Sequence, residues 1–186
     1  MNPKPISALL EENPIFQGLL AEDLDMIAGC ASNVKLDAGE FLFREGRPAD
    51  AFYLIRFGKV SVEFFAPGRG PITIHTPDEG DVVGWSWLYP PYVWSHDARA
   101  LDLTRAIAFD ARCLRGKCDA DPRLGYELMK RFANIVHHRL ENTRLQLLDL
   151  YGDDRHATAH PRGSHGVSPA SRSHAAAPVR GPAGSS

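Results

Sequence analysis

The chain has 186 residues, 21 Lys and Arg against 23 Asp and Glu, and a formal net charge of −2. This length allows one domain of ordinary size plus a tail, with a core that needs neither disulfide nor metal. The charge excludes the basic footprint on which non-specific binding to nucleic acid or an anionic membrane depends.

Residues 5 to about 32 read as helical. Ile6–Leu10 is a short apolar turn ahead of Asn13 and Pro14, and Leu20, Leu24, Ile27 and Ala28 repeat at helical spacing. Glu22 and Asp23 place carboxylates at the start of that helix, where its dipole favours them. From about 33 to 110 the period changes to two. Val34 and Leu36, Phe41–Phe43, Ala51–Ile55, Val60–Phe65, Ile72–Thr76, Asp81–Gly84, Ala98–Leu101 and Ala106–Phe109 read as eight short strands. Glycine-bearing turns separate them, at Gly39, Gly46, Gly58, Gly68, Gly70 and Gly80. The expected class is mainly β with flanking helices, a double-sheet jelly-roll barrel.

From about 111 the chain returns to helix. Asp110 is placed as an N-cap, and Pro122 opens a long helix of roughly 28 residues and about 42 Å, ending near 151. Phe132, Val136, Leu140, Thr143, Leu147 and Leu150 step by fours and threes, nearly a coiled-coil seam. The helix is longer than a small barrel needs, so the spacing predicts a homodimer through this stripe, against the simpler alternative of packing on its own barrel. Residues 153–186 collapse into His, Ala, Gly, Pro, Ser and Arg and are expected to be a disordered tail. His156, His160, His165 and His174 have no ligand spacing, so no metal is expected. The odd number of cysteines, Cys30, Cys113 and Cys118, reads as reduced thiols of a cytosolic protein. No run approaches the ~20 apolar residues of a membrane span, and Met1–Pro5 has no apolar signal core. The expected location is cytoplasmic, with no membrane partner.

All three tryptophans fall between Gly84 and Trp94, in Gly84-Trp85-Ser86-Trp87-Leu88-Tyr89-Pro90-Pro91-Tyr92-Val93-Trp94. Trp85, Trp87, Tyr89, Tyr92 and Trp94 would present about 750–1,250 Å² if fully exposed, more than monomers leave uncovered. Three covers are open: the long helix, a protein partner, or a flat aromatic ligand.

Residues 14–150 resemble a cyclic-nucleotide-binding domain, as in catabolite-activator-type regulators and kinase regulatory subunits. The resemblance rests on Pro14-Ile-Phe-Gln-Gly-Leu19, Leu36-Asp-Ala-Gly-Glu-Phe-Leu-Phe-Arg-Glu-Gly46, the hairpin Ala49–Val62 around Gly58, and Gly80-Asp-Val-Val-Gly84. It implies a phosphate-binding cassette at Gly84, Trp85, Ser86, Trp87, Leu88, Trp94, Ser95, His96 and Arg99. In the family that cassette opens Gly-Glu and supplies an Arg some ten residues on. Here Trp85 stands where the Glu is expected, and no arginine lies between Gly84 and Arg99. Losing both contacts would cost roughly 3–6 kcal/mol, or ~10²–10⁴ in affinity. Arg99 or His96 would have to point inward to replace the lost charge.

The resemblance therefore implies a non-catalytic regulatory or sensor module, dimeric and without high-affinity cyclic nucleotide binding. The competing reading is a cyclic-nucleotide-responsive regulator that binds through a non-standard aromatic cassette and acts in transcription or signalling. No helix-turn-helix pattern follows the long helix, so direct DNA binding is not expected. A metal-dependent enzyme on a jelly roll would need clustered ligands, and the barrel region holds only His75 and His96. A haem sensor ligated by His96 or Cys113 has no attachment motif behind it.

Overall fold

A computed structural model describes residues 4–157, with side chains through residue 148. Two helices, α1 (Ile6–Glu12) and α2 (Ala21–Ala28), precede eight strands: β1 (Ala31–Leu36), β2 (Phe41–Phe43), β3 (Ala51–Phe57), β4 (Val60–Ala66), β5 (Gly70–His75), β6 (Val82–Val83), β7 (Asp97–Ala100) and β8 (Thr104–Asp110). Helices α3 (Ala111–Ala120) and α4 (Pro122–Ala157) follow. Residues up to Asn142 make one unit, and those from Thr143 make another, whose described part is the end of α4. The strands form two antiparallel four-stranded sheets, ordered β1-β8-β3-β6 and β2-β7-β4-β5. The expected jelly roll is the observed fold.

Strand alternation produces two apolar clusters. Leu42, Ile55, Val60, Val62, Val83, Ala98, Ala100 and Ala106 form one of them, drawn from both sheets. The opposite parity of β3 and β8, Phe52, Leu54, Ile107 and Phe109, joins a second cluster with residues of all four helices. The central strands β3 and β8 are therefore buried on both faces, which is why they read as apolar runs. At the centre of the second cluster Phe52 stacks on Phe109 at 4.3 Å and on Trp87 at 4.9 Å.

The helix ends follow from local chemistry. The Asp110 carboxylate accepts the Cys113 N–H at 2.8 Å, as expected of the N-cap of α3. Asp121 caps α4 by accepting from Arg123 and Leu124, just after Pro122 takes the first helical position. The helix runs to Ala157, six residues beyond the expected end, so it takes in the first residues assigned to the tail. Residues 158–186 lie outside the described part, as do the side chains of Leu150 and of the tail histidines. The N-terminal helical zone also ends early, because β1 begins at Ala31.

The cysteines correct the expectation of three reduced thiols. Cys30 and Cys113 are disulfide-bonded, with Cα atoms 5.7 Å apart, and Cys118 is free. The register that pairs Ala31 with Phe109 brings the start of β1 beside the end of β8. Asp110 donates its N–H to the Cys30 carbonyl at 2.8 Å, and α3 starts there. This bond removes the support that free thiols lent to a reducing compartment. Among the described residues no helix is long and apolar enough to cross a membrane.

Candidate functional site

The segment between β6 and β7 is built by backbone requirements. Gly84 takes φ +86°, and a Cβ there would lie 2.6 Å from the Trp94 ring. Ser86–Leu88 form a single 3₁₀ turn, which sends Trp87 into the helix-side core. Tyr92 is a non-glycine residue at φ +56°; its N–H bonds the Tyr89 carbonyl at 3.1 Å and its own carbonyl takes the Ala49 N–H at 2.7 Å. The segment is pinned to α3 as well. Arg115 donates to the Trp87 carbonyl at 2.9 Å and lies 4.4 Å from the Tyr92 ring centre.

The aromatics are covered from within the chain. Trp87 and Trp94 are buried, Trp85 is half-buried, and only Tyr89 and Tyr92 of the five count as exposed. Trp94 stacks on Phe43 at 3.8 Å between ring centres, nearly parallel. Phe132 of α4 meets Trp87 edge-on at 5.4 Å.

Behind Trp85 and Trp94 a pocket is lined by Phe43, Val62, His75, Val83, Gly84, Trp85, Ser86, Trp94, Ser95, His96 and Arg139. Six of the nine residues placed in the cassette line it. Trp87 and Leu88 turn the other way and pack on the helix-side core. Arg99 also leaves the site. Its neighbours Ala98 and Ala100 take the inward parity of β7, so Arg99 lies outside and its Nη2 donates to the buried carboxylate of Glu63 at 2.7 Å. Arg99 therefore does not supply a charge to the pocket.

The cation in the pocket comes from α4. Arg139 donates through Nη1 to His75 Nε2 at 2.6 Å and through Nη2 to the Val82 carbonyl, and its guanidinium lies 4.9 Å from the Trp85 ring centre. A guanidinium has no acceptor, so His75 must present an unprotonated Nε2. Burial first, then the charges of Arg139 and His96, hold the His75 imidazole down at about 4, which keeps it neutral at physiological pH. Burial also lowers Arg139 from its usual value, partly offset by the Asp81 carboxylate. The charge that Arg99 does not bring to the pocket is thus supplied by a helix outside the cassette. With Arg139 and Trp94 seated, a cavity of about 20 Å³ remains, room for about one water molecule.

Arg139 had a readable signal. Leu124, Leu128 and Phe132 are buried, and the same helical face continues through Ile135 to Arg139. A charged residue at the end of a buried stripe is a candidate for insertion. His75 offered less, since a lone histidine on a strand has no preferred role.

The seam of α4 needs one correction. Phe132 is fully buried and belongs to the barrel's core, 5.2 Å from Phe52 edge-on. Val136 and Leu140 are exposed as expected, and Met129 joins them at heptad distance from Val136. Thr143 and Leu147, in the second unit, are exposed too.

Gly84→Ala should cost about 2–3 kcal/mol, because it adds left-handed strain to a clash with Trp94. Urea unfolding and the near-ultraviolet circular dichroism of the indoles would report it. A variant as stable as its parent, with unchanged tryptophan signals, would show that Trp94 does not pack on Gly84.

Comparison with known proteins agrees with this architecture. Residues 33–121 match the family model for the cyclic nucleotide-binding domain. The chain is 28% identical over 148 residues to the CRP-like cAMP-activated global transcriptional regulator of Mycobacterium tuberculosis, covering 78% of this chain and 63% of that protein. It therefore spans less than two thirds of this relative's length. A crystal structure assigned as a cyclic nucleotide-binding protein from Geobacter metallireducens GS-15 superposes with TM-score 0.66 at 26% identity, over 74% of this chain and 98% of that one. The Thermus thermophilus catabolite activator protein shares the fold, with TM-score 0.59 at 23% identity over 74% and 63% of the two chains.

Proposed function

We infer that the chain, whose residues 33–121 match the model of the cyclic nucleotide-binding domain family, is a non-catalytic regulatory module of that family without high-affinity cyclic nucleotide binding. The observation that carries this reading is the filled pocket. A cavity of about 20 Å³ stands where small-molecule sites have some 300–1,000 Å³. A nucleotide would have to displace Trp94 from Phe43 and Gly84, and Arg139 from His75 and Val82, before making any contact of its own. The position of the ribose-binding carboxylate is held by Trp85, which cannot accept a hydrogen bond.

The module acts as a homodimer through the exposed face of α4, where Met129, Val136 and Leu140 carry the seam within the first unit. Helix–helix docking would cover apolar side chains that the barrel leaves in water. Tyr89 and Tyr92 stay accessible for a protein partner.

Tryptophan fluorescence during titration of the full chain with cAMP and with cGMP tests the central claim. The expected result is no saturable change up to about 100 μM. Saturation below ~10 μM, equivalent to about 7 kcal/mol of binding, would overturn it and favour the nucleotide-responsive regulator, the reading supported by the cAMP-activated relative.

A further inference from the structure

We propose that Arg139 is an internal occupant of the barrel pocket, a guanidinium delivered by α4 that holds the site closed and ties its occupancy to that helix. This rests on the regulatory-module reading and adds the device that keeps the pocket shut. Arginine on a helix normally runs its stem along the surface and keeps its head in water. Arg139 instead buries its head among β5, β6 and the Trp85 turn, and burial of a charge is unfavourable unless acceptors meet it. They do: the imidazole of His75, the carbonyl of Val82 and the ring face of Trp85 receive two donors and one face of a planar cation. The other titratable groups near it are His96, which lines the same pocket, and Asp81, whose carboxylate favours the cation. Val82 itself is the β6 residue paired with Leu54, so the acceptor is fixed by the sheet.

Two consequences follow. Any ligand that enters must first expel the guanidinium, which moves the helix that also exposes Val136 and Leu140 within one turn of Arg139. Pocket occupancy and the self-association face are then biased by one element, the requirement for coupling between two sites. Second, removing the side chain should leave a hole of defined chemistry, one that takes planar, delocalised cations of the alkylguanidinium class.

The test is chemical rescue. Arg139→Ala is titrated with ethylguanidinium below about 50 mM, well under denaturing concentrations, with Trp fluorescence and thermal shift as readouts. Saturation at least ~10-fold tighter than any response of the parent chain is expected, with ethylammonium, which lacks the plane, weaker. The double variant Arg139→Ala, His75→Ala should lose the response. Should the alanine variant fail to fold, Arg139→Met keeps the stem's packing and leaves room for the guanidinium ion itself, judged by the same criterion. Equal responses in parent and variants, or none in either variant, would overturn the proposal. Tight cyclic nucleotide binding by the parent chain would instead refute the functional reading and leave the rescue result intact.

Discussion

Phe132→Ala is expected to destabilise the domain by about 3–5 kcal/mol while leaving self-association unchanged. Phe132 is fully buried and sits edge-on to both Phe52 and Trp87, at 5.2 and 5.4 Å. The hole left by its ring is bounded by stacked aromatics, which cannot collapse into it without breaking their own contacts. The loss should therefore include a cavity contribution as well as the lost transfer free energy, and should lower the melting temperature by roughly 6–20 °C. Replacing Leu140 and Leu147 by Glu should do the opposite. Both are about half exposed, at 49% and 48%, so unfolding free energy should move by less than about 1 kcal/mol. On the proposal that this face pairs two copies of the chain, the association constant should weaken at least ~10-fold, because charges would be carried into an apolar seam. Sedimentation at a temperature well below melting, together with urea unfolding, separates the two. A Phe132 variant that loses its dimer while keeping its stability would return that residue to the seam.

That pair of variants also locates what the sequence could and could not disclose. The eight strands were legible because period-two alternation and glycine turns agree at most boundaries, and Gly58 and Gly84 take positive φ where backbone or ring atoms crowd them. The long helix was legible in its start at Pro122 but neither in its end nor in its orientation. It carries two apolar stripes, Leu124–Leu128–Phe132 towards the core and Met129–Val136–Leu140 towards solvent. One helical step separates Phe132 from the second stripe's heptad line, so spacing alone merged them. Arg99 could have been placed by parity, since Ala98 and Ala100 on either side are small and apolar and take the inner face. The inward face of Arg139 was legible from the α4 stripe, but its contacts and the disulfide were harder for one reason. Their partners are contributed by strands and helix ends 57 to 83 residues away, and no local periodicity encodes contacts that strand register creates.

The pair Asp23–Arg123 extends this lesson to energetics. The Asp23 side chain is fully buried, while Arg123, from the first turn of α4, is 48% exposed. Two donors from the guanidinium reach the two carboxylate oxygens at 2.9 and 2.6 Å, and the Leu20 N–H adds a longer bond at 3.4 Å. The guanidinium bonds hold the Asp23 carboxyl below its ordinary range, against burial, which acts to raise it. Removing either partner should not be equivalent. Asp23→Ala frees a guanidinium that water can reach. Arg123→Ala strands a carboxylate that water cannot reach, and should cost about 3–4 kcal/mol at neutral pH. The pH dependence has a definite sign. In the parent chain the unfolded state takes up the proton first, so the pair's contribution is full above the unfolded carboxylate range near pH 4 and declines as pH falls through the lower folded value. In Arg123→Ala burial raises the same carboxyl, so acidification protonates it in the folded state and relieves the penalty. The stability gap between parent and variant should therefore be widest at neutral pH and close towards pH 3. Urea midpoints at several pH values measure it, and a gap that stays constant or widens on acidification would show that the two charges are not coupled in the folded protein.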